Sequence, residues 1–166
     1  LDARWATWAP WAEMRNRSDY ARVAKSLFPV LPNSNPFLAV AGASLFSSVT
    51  ERFRELSCGQ PSNQELAYAL TQASIAEMQT ITKGTVAARS MDANSGDMTI
   101  NLLATLSARL ESLIYLPDLK PGETPFSLRD FIEEESDRWL FIPMRPKDEA
   151  VLSPLLACWY DVALDA

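Results

Sequence analysis

The chain has 166 residues, 48% of them hydrophobic and 22% charged, a composition typical of one globular domain with a buried core. It lacks histidine and has a net charge of −6, which removes the commonest general base and metal ligand and disfavours nonspecific binding to phosphates. No segment offers the roughly 18 apolar residues that a membrane span needs, and no secretory signal opens the chain.

Three tryptophans near the start, Trp5, Trp8 and Trp11, are spaced three residues apart. This spacing favours packing anchors on a helix, and a base-stacking platform is the alternative. Because the termini of a domain are commonly close together, we expect these tryptophans to lie near the segment 139–142 or the last helix.

A basic cluster follows, made of Arg15, Arg17, Arg22 and Lys25. These side chains are the candidate nucleic-acid-binding residues, because clustered cations contact phosphates. The alternative is an ordinary exposed helix face, since Asp19 lies within the cluster.

Helix signals dominate the next eighty residues. Asn35 and Pro36 form an N-cap and a first helical residue, and apolar residues at helical spacing continue to Leu56. Ser62 and Glu65 form a capping box that opens a second helix. Short helical pieces broken near Gly84 come next, and a longer helix is predicted over 96–116.

The stretch 126–142, FSLRDFIEEESDRWLFI, combines a helix start with an apolar segment. Ser127 and Asp130 resemble a capping box for a helix of about two turns. The segment 139–142 has no alternating polar residues, which predicts a short strand buried on both faces. The last helix, beyond residue 150, is apolar on more than one side.

The acidic run between these two elements is Glu133, Glu134, Glu135 and Asp137. From residue 118 to 137 the chain carries seven acidic and two basic residues, a net charge of −5. Such a run repels DNA and suits docking to a basic protein surface. A solvated surface loop without a ligand is the favoured interpretation of the run itself, and binding of a divalent cation is the less favoured alternative.

No catalytic constellation is found. A phosphate-binding loop of the G-x-x-x-x-G-K-[ST] type is absent from the sequence. Thr80 and Lys83 only weakly resemble a catalytic hydroxyl–lysine dyad, and an exposed helix turn is the favoured interpretation. Cys58 and Cys158 are expected to be reduced thiols, with a disulfide as the alternative.

Several of these stretches resemble the coupling proteins of type IV secretion, the TraD/TrwB-like motor ATPases of conjugation. The resemblance lies in 126–130 (FSLRD), 139–142 (WLFI) and 152–163 (LSPLLACWYDVA). The early residues Trp8, Trp11 and Glu13 and the triplet 35–37 (NPF) are similar to further landmarks of the family. Ser153 departs from the family, which often has Arg or Lys there.

The resemblance implies an all-α, multi-helix domain inserted in a RecA-like motor domain, between the phosphate-binding loop and the Walker B strand. Residues 15–137 would form the helical body, and 1–14 and 138–166 would be roots leading to the motor domain. The segment 139–142 would belong to the sheet of the motor. ATP and Mg would bind the parent motor, a homohexamer at the inner membrane. This chain would then face the cytoplasm and carry no catalytic residue, cofactor or metal.

Two functions are therefore predicted. The first is substrate recognition, in which the domain docks relaxase, relaxosome or effector proteins, and the negative charge favours it. The alternative is a DNA-contacting module at the entrance of the motor channel, for single- or double-stranded DNA, which depends on the basic cluster. An independent enzyme is disfavoured by the missing general base.

Overall fold

The structure is a computed structural model that describes residues 6–32, 34–57, 61–91, 96–134 and 137–166. These residues form seven α-helices: α1 Arg17–Leu27, α2 Pro36–Leu56, α3 Asn63–Thr71, α4 Ile75–Thr82, α5 Gly96–Leu110, α6 Leu128–Glu133 and α7 Glu149–Asp165. Four 3-10 helices accompany them: Pro10–Glu13, Val86–Met91, Glu111–Tyr115 and Pro146–Asp148. The predicted all-α class is confirmed. No helix among the described residues is long and apolar enough to cross a bilayer.

Local capping sets the helix starts, as predicted for three of them. The side chain of Asn35 accepts a hydrogen bond from the Phe37 amide at 3.0 Å, and Pro36 begins α2. Ser62 caps α3 and Ser127 caps α6, each by accepting the amide of the third helical residue. A cap at Ser74, which begins α4, was not predicted.

Helix α2 is the centre of the body. Its Leu45, Phe46 and Val49 are fully buried, and α1, α3, α4 and α5 all pack against it. A Cβ atom on Gly42 would lie 2.7 Å from the Phe28 ring, so the glycine allows the end of α1 to approach α2 closely. The core therefore forms around this long helix.

One predicted helix is shorter in the structure, and one predicted break between helices is present. The helix predicted over 96–116 ends as α5 at Leu110 and continues as the 3-10 helix Glu111–Tyr115 before Pro117. The predicted break near Gly84 is confirmed, and this residue has a φ of 82°, which glycine adopts without strain.

The predicted strand at 139–142 is wrong for this chain. The segment has no regular secondary structure, and Trp139 and Phe141 are 83% and 80% exposed. A strand needs a neighbour to bond its amides and carbonyls. Within the described ranges, the only β-type pairing is an isolated bridge between Trp8 and Phe126.

The last helix packs on one side only. Leu155, Cys158 and Val162 of α7 are buried against α1, α6 and the 3-10 helix Glu111–Tyr115, while Leu164 is exposed. Trp159 meets Trp8 edge to face, with ring centroids 5.5 Å apart. The start of the described chain thus lies against its last helix, as expected.

Candidate functional site

Glu13 joins the beginning of the chain to α6. Its side chain is fully buried, and Oε1 accepts hydrogen bonds from the Trp8 indole at 2.8 Å and from the Leu128 amide at 2.7 Å. Oε2 accepts from the Ser127 hydroxyl at 3.1 Å and from the Arg129 amide at 3.2 Å. A carboxylate is suited to this place because the first amides of a helix have no partners within it. Within the motif FSLRD, only the Ser127 side chain contacts Glu13, and the other two contacts come from backbone amides.

Asp19 makes a second buried link to the same helix. Its carboxylate lies 3.3 Å from the Arg129 guanidinium, and both side chains are almost fully buried. It also accepts the amides of Arg15 and Asn16, at 3.0 and 2.9 Å, and so completes the capping box of α1. Burial alone would raise the pKa of Asp19, but the Asn16 amide and the Arg129 charge outweigh burial and lower it.

Arg15 brings the two candidate sites into contact. Its Nη2 lies 2.5 Å from Asp130, and its Nη1 donates to Glu133 at 2.9 Å. Hydrogen bonds to Glu133 and then to Asp130 raise the pKa of Arg15 above its ordinary value. The first basic candidate is thus neutralised by the acidic segment that was predicted to dock protein.

Two more of the basic candidates also have acidic partners. Arg17 lies 3.2 Å from Glu51, and Arg22 lies 3.6 Å from Asp19 and 3.7 Å from Asp165. Lys25 is exposed on α1 and has no ion pair within the described parts of the chain. Arg17, Arg22 and Lys25 lie on α1 and Arg15 lies just before it, and little of the positive charge of this cluster is uncompensated.

The acidic candidates lie on the surface at the end of α6. Glu133 pairs with Arg15, and Glu134 pairs with Arg138, whose guanidinium also stacks over the Phe131 ring. Asp137 is exposed, and Glu135 lies outside the described residues. Within the described ranges, no group of three histidine, cysteine or carboxylate side chains could hold a metal ion.

The tryptophans Trp8 and Trp11 are buried, at 5% and 4% exposure, so they are packing anchors and present no ring for base stacking. Trp5 lies outside the described residues. The hydroxyl of Thr80 donates to the Ala76 carbonyl of its own helix at 2.9 Å, as in an ordinary surface turn.

Sequence reasoning missed a groove between α2, α3 and α4. Its volume is about 890 Å³, and Phe53, Leu56, Tyr68 and Ile81 line much of it. Each helix was predicted separately, but no local sequence signal indicates that the three helices pack so as to form an apolar groove.

Comparison with known proteins decides the family. A family model described as the type IV secretion-system coupling protein DNA-binding domain matches residues 1–166. The chain belongs to this family. The coupling protein TraD of Escherichia coli strain K12 is 26% identical over 168 residues, which cover 99% of this chain and 23% of TraD.

Solved structures of the conjugative coupling protein TrwB share the fold of this coupling-protein domain. The unbound monoclinic form of TrwBdeltaN70 superposes with a TM-score of 0.84 at 25% identity, covering 99% of this chain and 38% of that chain. TrwB in complex with ADP and Mg²⁺ superposes with a TM-score of 0.82 at 26% identity, covering 98% of this chain and 38% of that chain. The domain therefore spans well under half the length of these relatives, and its all-α architecture is that of a type IV coupling protein.

Proposed function

We propose that this chain docks the substrates of a type IV secretion coupling protein, chiefly through contacts with their protein components. Relaxase, relaxosome or effector proteins are the substrate class. Membership of the coupling-protein family supports the general role. The charge distribution supports protein over DNA as the direct ligand.

The ion pairs that the basic cluster already makes favour protein over DNA as the direct ligand. Three of the four candidate cations, Arg15, Arg17 and Arg22, already lie within 3.7 Å of carboxylates. A DNA phosphate would have to displace those carboxylates. The free energy lost with each ion pair would then offset much of the free energy gained from the new phosphate contact. With a net charge of −6, the domain has little long-range attraction for DNA.

The parent protein, in this proposal, is a hexameric ATPase at the inner membrane with this domain on the cytoplasmic side. Residues 15–137 form the docking body, and 1–14 and 138–166 lead to the motor domain, which binds ATP and Mg²⁺. The exposed apolar segment 139–142 supports this arrangement, because such a segment is normally covered. The domain itself catalyses no reaction.

Direct contact with DNA is the second candidate. The description of the family as a DNA-binding domain favours it, and so does the exposure of Lys25 and Arg17 on α1. In this case the face of α1 would lie at the entrance of the motor channel.

A salt titration of DNA binding separates the two. Fluorescent single- and double-stranded DNA would be titrated with the chain, with Lys25→Glu, and with Lys147→Glu as a control of equal charge change. Protein docking predicts weak binding with a log–log salt slope shallower than about −1.5, the value for roughly two phosphate contacts. A slope of about −3 or steeper that Lys25→Glu reduces and Lys147→Glu does not would establish DNA contact instead.

A further inference from the structure

The groove between α2, α3 and α4 has an apolar floor and acidic edges. Phe53 and Leu56 of α2 face Tyr68 of α3 and Ile81 of α4. Leu56 is 68% exposed, and Tyr68 is half exposed, so large apolar groups remain in contact with water. The volume, about 890 Å³, is near the upper end of the range typical of binding clefts, roughly 300–1,000 Å³.

The charges at the groove are of one sign. Glu65 and Glu77 line it, and no basic side chain does so among the described residues. Hydrogen bonds from the Ser74 hydroxyl and amide lower the pKa of Glu77, so its carboxylate is ionised at neutral pH. An occupant is therefore expected to present cations beside an apolar surface.

The walls of the groove also restrict the backbone of an occupant. The walls are largely α-helical, and the backbone amides and carbonyls in the interior of each helix are already bonded within it. An extended peptide would bury unpaired polar groups against them, whereas a helix satisfies its own. Helix-in-groove recognition meets this requirement with apolar residues at a helical spacing.

We propose that this groove binds an amphipathic helical segment of a protein, whose apolar stripe is bordered by lysine or arginine. This inference rests on the proposed function and deepens it, since it assigns protein docking to a particular surface and names the chemistry of the docked segment. The apolar stripe contacts Leu56 and Tyr68, and the flanking cations lie beside Glu65 and Glu77.

The test uses synthetic peptides and fluorescence anisotropy. The probe is a labelled Leu/Lys peptide of about 18 residues with leucine at helical spacing, long enough to form a helix on binding. A matched peptide carries Glu in place of every Lys. The Lys peptide is expected to bind and to become helical, and the Glu peptide to bind more weakly.

Variants locate the binding surface. Leu56→Ser should weaken binding about tenfold, since an exposed leucine side chain loses its burial on docking. Leu164→Ser removes an even more exposed leucine from the end of α7 and should have no effect. Glu65→Lys should weaken binding about fivefold, whereas Glu149→Lys, with the same charge change on α7, should not.

Equal losses in both leucine variants, or no binding of the Lys peptide, would overturn the proposal. A change of oligomeric state in Leu56→Ser without peptide binding would overturn it too, because a second copy of the chain would then occupy the groove. Circular dichroism of each variant shows whether it is folded. If the groove fails this test while substrate proteins still contact another face of the domain, the docking function stands and only its location is wrong.

Discussion

At the scale of single residues, the buried Glu13 joins the start of the described chain to α6. Its buried carboxylate accepts four hydrogen bonds, three of them from Ser127, Leu128 and Arg129. The cap at Ser127 was predictable because it depends on neighbouring residues. The role of Glu13 was not, because three of its four partners lie more than 110 residues away in the chain.

Replacing Glu13 by glutamine should destabilise the domain. The amide keeps one acceptor oxygen and turns its NH₂ group towards donors, leaving buried amides unsatisfied. We expect a loss of about 1–3 kcal/mol in the free energy of unfolding, measured by urea denaturation. Glu149→Gln, at an exposed position, is the control, and a Glu13→Gln variant as stable as this control would show that the four hydrogen bonds contribute little.

Cys158 should be unreactive in the folded chain. Its thiol is buried and free, and burial first, then the charges of Asp161 and Glu13, raises its pKa to about 12. Because the thiolate is the reactive form, iodoacetamide at neutral pH should modify Cys158 only in denaturant. Peptide mapping by mass spectrometry separates this site from Cys58, and rapid labelling of Cys158 without denaturant would contradict the buried position of α7.

At the scale of elements, two short helices depend on one buried ion pair. Asp19 caps α1, and through Arg129 it also holds α6. The starts of α2, α3 and α6 were predictable from local capping residues. The segment 139–142 was mispredicted because its apolar pattern is that of a strand, and a strand requires a partner that no local pattern can supply.

The Asp19–Arg129 pair should make stability depend on pH. The pKa of Asp19 is lower in the folded state than its ordinary value, which is near 3.9. The ionised carboxylate therefore stabilises the fold at every pH above that ordinary pKa. This contribution is lost as the pH falls through the folded-state pKa. Asp19→Asn should therefore cost about 3 kcal/mol or more at pH 7, since it leaves Arg129 unpaired, and progressively less in acid.

Urea denaturation of both proteins from pH 7 down to about 2.5 measures this difference, with Asp137→Asn as an exposed control. A stability difference that stays constant across this range would mean that the ionisation of Asp19 does not stabilise the fold.

At the scale of the whole molecule, the two predicted sites are joined by an ion pair. Arg15 of the basic cluster pairs with Glu133 of the acidic run, a contact that connects opposite ends of the chain. The residues of each cluster can be identified in the sequence, but the contact between the clusters depends on the tertiary fold that brings Arg15 beside α6. The groove between α2, α3 and α4 was unpredictable for the same reason.

The isolated chain should self-associate through 139–142. Trp139 and Phe141 are more than three-quarters exposed, and an apolar patch of this kind favours association in water. Light scattering should show a mass that rises with concentration, and Phe141→Asp should reduce this rise without loss of helix content. Val86→Asp changes an equally exposed apolar residue elsewhere and should leave association unchanged. A monomer at every concentration would show that the segment 139–142 does not mediate self-association.

Site-specific photo-crosslinking in cells that are transferring substrate tests the central claim most directly. A photoreactive residue would replace Tyr68 in the groove, Asp137 in the acidic run or, separately, Lys25 in the coupling protein that carries this chain. Docking of substrate proteins predicts protease-sensitive adducts at Tyr68 or Asp137 that require the substrate, and no DNA adducts at Lys25 above background. Nuclease-sensitive adducts at Lys25, with no protein adducts at Tyr68 or Asp137, would contradict it.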